Sequence, residues 1–222
     1  VLARERVYGR VDEARRIAYP RSMDLTVLIQ PSVDLPRLTR VLDELGHSGR
    51  LATVRGWDGR TLARLYEAAK GHHALTTEHF VPAAIGPLTE VIHHGKNSLP
   101  AFSHFQKRFA RPDAAESPPK ELWGFNRQSN EAFTGPGYFV VHTEWDAGQV
   151  PGEVAIDYRR LPPGKVPSWP EIVPNSARLG RFVYAGMVDV MRGISNHVSI
   201  GRAWKQGKYM DAWFALVRED AS

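Results

Sequence analysis

Apolar positions recur at spacings of three and four over Asp34–Leu45, at Leu38, Val41, Leu42 and Leu45. That period predicts an amphipathic helix, with Asp34 placed to cap its start, Pro36 in its first turn and Gly46 at its end. Gly59–Lys70 repeats the pattern with Leu62, Leu65, Tyr66 and Ala69, again followed by a glycine. The stretch Glu90–Arg111 reads as two further helices joined by a turn at Gly95–Ser98. In the second, Phe102, Phe105 and Phe109 face the core and His104, Lys107, Arg108 and Arg111 fall on the outer side. The longest helical pattern covers about 177–194. Leu179, Phe182, Val183, Gly186, Met187, Val190, Met191 and Ile194 form an unbroken apolar stripe, and Asn175 or Ser176 can cap its start.

Elsewhere the period is two. Glu121–Phe125 is a short strand candidate, and Tyr138–Trp145 and Glu153–Arg159 alternate. His197–Trp204 and Tyr209–Arg218 form a hairpin. With Gln206-Gly207 as a two-residue turn, Trp204 faces Tyr209, Arg202 faces Asp211 and Ile200 faces Trp213. Leu161–Pro174 carries five prolines around Trp169, which excludes regular structure there. A buried Trp169 would pin that loop to the body.

These elements predict one α+β domain over residues 1–222. Residues 1–111 form a mainly helical half, 112–120 a linker-like loop and 121–222 a strand-rich half. The helical half packs on an antiparallel sheet of four to five strands, with the 177–194 helix buried across it and the hairpin at the C-terminus. An arginine-rich helix over about Glu5–Ala18 leads in.

Composition narrows the chemistry. The chain has no cysteine, which excludes disulfides, thiolate zinc sites and cysteine nucleophiles. With no apolar run near the roughly 20 residues of a membrane span and no visible signal peptide, a soluble, cytoplasmic protein is expected. The formal net charge of +5 favours anionic partners.

Candidate chemistry concentrates in Glu90–Arg111. On a helix the neighbouring His93 and His94 diverge by about 100°, and the HExxH signature is absent, so no metal is expected. Gly95–Ser98 lacks the first glycine and preceding strand of a nucleotide-binding P-loop, and no cofactor is expected. The leading expectation is a small anionic ligand bound at residues 93–98, and transformed there if the protein is an enzyme. His93, His94, Lys96, Asn97 and Ser98 would hold it, with Arg108 on the adjacent basic face and backbone amides contributing. Catalysis rests on His142 and Asp157, which adjacent strands could bring together. The alternative is a non-catalytic interaction module. It would bind nucleic acid through aromatics and cations such as Trp204, Lys205, Lys208 and Tyr209, or bind protein, including a second copy through the aromatic hairpin.

Overall fold

Eight antiparallel strands close on themselves in sequence order. They are β1 (Val91–Asn97), β2 (His104–Ala110), β3 (Glu121–Arg127), β4 (Tyr138–His142), β5 (Val154–Asp157), β6 (Met187–Gly193), β7 (Val198–Lys205) and β8 (Lys208–Arg218). Pairing of β8 with β1, from His93–Arg218 to Asn97–Phe214, closes the barrel. The structure, a computed structural model, describes residues 25–99, 103–113, 120–128, 135–144, 150–177 and 180–220. The lead-in helix, Phe102, Leu179 and most of 112–120 lie outside these residues.

The expected α+β architecture is therefore corrected to a closed barrel. Both "helices" of Glu90–Arg111 are strands, β1 and β2, paired from Val91–Phe109 to Lys96–His104. The 177–194 helix is reduced to a single turn, α5 (Gly180–Val183), and its second half is β6. The reason is burial on both faces of β6. Asp189 and Met191 point into the barrel, while Val188 and Val190 pack outside with Ala155 and Trp204. A strand covered on both sides loses its alternation and reads as a continuous apolar run.

The helices flank the barrel. α1 (Leu35–Glu44), α2 (His47–Arg55) and α3 (Gly59–Ala68) form a layer on the outer face of β7 and β8, and α4 (Thr77–Phe80) is a short turn before β1. Asp34 caps α1 by accepting from Arg37 N at 3.2 Å, and Asp58 caps α3 by accepting from Thr61 N at 2.8 Å. Leu38, Leu42, Leu62 and Leu65 bury against Ile194, Val198, Ile200, Ala215 and Val217. A polar tie backs this contact. Arg192 of β6 donates to Glu153 Oε1 at 2.7 Å and to the Tyr66 carbonyl at 2.7 Å. On the opposite side the proline-rich loop covers β3 and β4. Trp169 packs edge-on to Phe125, with centroids 5.0 Å apart, and donates to Glu90 Oε2 at 2.7 Å.

The hairpin turns at Gln206 and Gly207, both at positive φ, as the two-residue turn requires. The expected register holds for Trp204–Tyr209 and then shifts at an irregularity between Arg202 and Trp204. Beyond it Arg202 stands opposite Trp213, and Ile200 opposite Ala215. Arg202 Nη2 still reaches Asp211 Oδ1 at 3.3 Å, so the expected ion pair forms diagonally.

Inside the barrel three glycines lie directly across from phenylalanines: Gly95–Phe105, Gly124–Phe139 and Gly201–Phe214. Each ring lies over its glycine, and a Cβ on Gly124 would meet Phe139 Cε2 at 2.3 Å. An aromatic folded over a glycine lets the sheet curve tightly while its interior stays filled. Gly124→Ala is expected to destabilise the fold by about 1–3 kcal/mol through overpacking. Gly86→Ala, whose nearest neighbour would be Thr89 Oγ1 at 3.9 Å, is the control expected to change little. Urea midpoints of the two variants measure the difference.

Candidate functional site

Inward-facing residues of a barrel alternate along each strand, so the register fixes which side chains meet. Lys107 of β2 stands beside Asn126 of β3, and Asp189 of β6 faces the same interior. Lys107 is 2 % exposed and Asp189 3 %. The Lys107 Nζ donates to Asp189 Oδ2 at 3.0 Å, to Asn126 Oδ1 at 2.9 Å and to the Tyr158 hydroxyl. Tyr158 donates in turn to Asp189 Oδ2 at 3.2 Å and accepts from Asn126 Nδ2 at 2.8 Å. Four rings surround the ammonium: Phe105, Phe139, Tyr158 and Phe214, with centroids 5.0–5.6 Å from Nζ. Electron-rich ring faces and one carboxylate thus replace water around the charge. Burial pushes the Lys107 pKa down, against the pull of the Asp189 pair. Burial, with the Asp189 charge beside it, drives the Tyr158 hydroxyl well above its ordinary range.

This network lines one end of a cavity of about 570 Å³ within the barrel. The walls are mostly apolar, with Phe105, Phe214, Met187 and Ala203 among them. At the rim sit the exposed Leu99, Val183 and Met210, together with Lys205 and Gln128. Tyr184 stacks on Tyr158 at 5.3 Å and is held by a hydrogen bond from Gln128. Its ring lies over Gly137, where a Cβ would meet the ring carbon Cζ at 2.6 Å. Gly137 has φ +58°, so backbone conformation and close approach both favour glycine there. Asp189 accepts both its hydrogen bonds on Oδ2, and Oδ1 has no hydrogen-bond partner among the described residues.

The residues expected to form an anion seat are dispersed by the strand geometry. His93 points inward and is fully buried, donating Nε2–H to the Phe80 carbonyl at 3.0 Å. His94 points outward and pairs with Glu219 Oε1 at 2.6 Å. Lys96 alternates onto the same outer face as His94. Asn97 accepts from Leu99 N at 3.0 Å and lines the barrel cavity. The Ser98 hydroxyl accepts from Trp213 N at 3.0 Å. Arg108 is engaged by Glu90 and by Gln106 Oε1. The helix expected after the Gly95–Ser98 turn is instead strand β2, so the backbone amides of a helix N-terminus are not offered there. Lys107, assigned by helical spacing to an outer basic face, is instead buried inside the barrel.

His142 and Asp157 do meet, with Nε2 3.4 Å from Oδ2, in a polar cleft of about 560 Å³. Asp157 is already engaged by Arg159, through N at 2.8 Å, Nε at 2.9 Å and Nη2 at 2.7 Å. Burial pushes its carboxyl pKa up, but the bonds from His142 and Arg159 prevail and hold it well below the usual range. An anion so fully hydrogen-bonded is a weak base, suited to orienting His142 and poorly suited to accepting a proton.

Asp189 and Tyr158 escaped sequence reasoning because each was read into a different element. The available signal was a lone acidic residue, Asp189, inside the apolar run Met187–Met191. A charge in such a run implies a buried partner.

The fold and cavity define an up-and-down eight-stranded barrel with one buried ion pair facing an interior pocket. Barrels of this strand number are just wide enough to be filled by side chains or to hold one small molecule. The chain matches no protein-family model and no curated protein. No helix among the described residues is long and apolar enough to cross a membrane.

Proposed function

We propose that this protein binds one small, largely apolar molecule inside the barrel, with a neutral hydrogen-bonding group such as a hydroxyl directed at the Lys107–Asp189 network. The observation that carries this reading is the cavity itself. It is about 570 Å³ and mostly apolar-walled, with the Lys107–Asn126–Tyr158–Asp189 network at its buried end. That volume lies within the range of ligand pockets, and a few fixed polar groups in an apolar wall are how such pockets set orientation. Asp189 already neutralises Lys107. A second carboxylate would compete for the same ammonium, whereas a hydroxyl can donate to Asp189 Oδ1. The small ligand expected at Gly95–Ser98 is thereby relocated to the barrel interior, with Asn97 the residue common to both sites.

An anionic ligand is the second reading, favoured by Lys205 at the rim. It would enter tail first and leave its head group at the mouth.

Calorimetric titration with a medium-chain alcohol and its matched carboxylate separates the two. Saturable one-to-one binding of the alcohol is expected. Ala212→Trp, which fills the mouth, should weaken it by about tenfold or more, since roughly 1.4 kcal/mol of overpacking suffices. Tighter binding of the carboxylate, lost in Lys205→Met, would transfer the assignment to the anionic reading. Binding of neither probe, or binding untouched by Ala212→Trp, would refute the interior site.

A further inference from the structure

Away from the cavity, three potential metal ligands converge on the outside of the barrel where β1 and β8 meet. His47 is the first residue of α2, in the helical layer. His94 stands on the outer face of β1. Glu219 follows β8 directly and is fixed beside β1 by its own N–H, which donates to the Ile92 carbonyl at 2.9 Å. One nitrogen from each histidine and one Glu219 oxygen all lie within 4.8 Å of one another. The two imidazole rings are 5.5 Å apart and inclined by 52°. All three residues are half-buried, so an ion could reach them.

We propose that His47, His94 and Glu219 bind a divalent transition metal, zinc in the first instance, which clamps the helical layer onto the seam of the barrel. Two imidazoles and a carboxylate are a ligand set that zinc accepts, at bond lengths of about 2.0–2.2 Å, leaving a fourth position for water. Ligand atoms around a tetrahedral ion of that size stand roughly 3.3 Å apart. Modest side-chain rotations therefore close the triad on an ion. In the metal-free protein the His94–Glu219 contact at 2.6 Å is a hydrogen bond through one proton. The metal takes the place of that proton at Nε2, and the neutral imidazole carries its single proton on Nδ1 instead. Nothing is oxidised or reduced.

One further observation agrees. The Nδ1 of His47 is buried with no hydrogen-bond partner among the described residues, an arrangement that ordinarily demands an explanation. The nearby Asp220 is engaged separately by Arg50 and by His197 at 3.2 Å.

Calorimetric titration of zinc chloride into the full chain, freed of any histidine tag and stripped with EDTA, tests the site. One ion per chain is expected, with a rise in melting temperature that EDTA reverses. His94→Gln and Glu219→Gln should each weaken binding by at least about tenfold. His104→Gln, on an exposed histidine elsewhere, should bind as the wild type does. If a variant fails to fold, the ring resonances of the wild-type histidines decide instead. Zinc must shift those of His47 and His94 and leave His104 unmoved. Absence of stoichiometric binding by the wild type, or binding that survives in His94→Gln/Glu219→Gln, overturns the proposal.

Discussion

Asp189→Ala is expected to lower the stability of the fold by about 3–5 kcal/mol at pH 7, because it strands the Lys107 ammonium inside the barrel without its counter-charge. For a domain of this size that corresponds to a fall in melting temperature of roughly 6–20 °C. The remaining Asn126 and Tyr158 oxygens and the four rings do not replace a carboxylate. The variant also carries its own diagnostic. Burial already pulls the Lys107 pKa below its unfolded value, and loss of Asp189 removes the main opposing influence. The unfolded chain then holds a proton that the folded chain gives up, so the stability of Asp189→Ala should rise from pH 7 toward pH 9, more steeply than in the wild type. Replacing both partners with apolar residues, as Lys107→Met/Asp189→Leu, should recover much of the loss, since a buried pair often contributes little net stability. Ligand binding in the cavity should not return with it. Guanidinium titrations of the three proteins measure these stabilities, and an Asp189→Ala variant within about 1 kcal/mol of wild type would remove the ion pair from its central place.

That ion pair also explains where sequence reasoning stopped. Helices α1 and α3 were legible because their caps and three–four periods agree with one another. The C-terminal hairpin was legible because Gln206-Gly207 marks its turn, although the irregularity near Ala203 moved the later pairings by two residues. β1 and β2 were misread for a specific reason. Phe105 and Phe109 are four apart, a spacing that fits one face of a helix and one face of a strand equally. The residue between them that would have decided the matter, Lys107, is charged and inward-facing. It broke the alternation that identifies a half-buried strand. In β6 the converse happened, as apolar residues on both faces imitated a buried helix. The site was therefore hidden by its own chemistry: one member looked like a surface cation, the other like an accident in an apolar run. His142 and Asp157, by contrast, lie on neighbouring strands read as such, and their proximity could be anticipated. The engagement of Asp157 by Arg159, in the turn that follows β5, was visible only in three dimensions.

The second large effect is acid lability below pH 6.5. His93 is sealed between Phe80, with centroids 5.6 Å apart, and Phe109, at 4.7 Å. Its Nε2 meets the Phe80 carbonyl and its Nδ1 has no partner among the described residues. Burial lowers its pKa to about 3. His79, whose ring lies 6.3 Å from His93, is likewise held well below its ordinary value. Burial dominates there, and the charges of His93, Arg218, His73 and His197 add to it. Both groups are neutral in the folded protein, whereas in the unfolded chain each takes a proton near pH 6.5. Their contribution to stability is therefore complete above pH 6.5 and lost as the pH falls toward the folded pKa. The loss is about 1.4 kcal/mol per pH unit for each histidine. At pH 5 the two together remove about 4 kcal/mol, comparable with the whole stability of a small domain. Asp157 does not blur this window, because its lowered pKa makes its contribution vanish only below the ordinary carboxylate value of 3.8. Urea midpoints should thus fall steeply between pH 6.5 and pH 5. His93→Gln, which keeps a donor for the Phe80 carbonyl and has nothing to protonate, should lose about half of the slope shared by these two groups. A midpoint that stays level across that range, or a slope indifferent to His93→Gln, would show that neither imidazole is kept neutral by the fold.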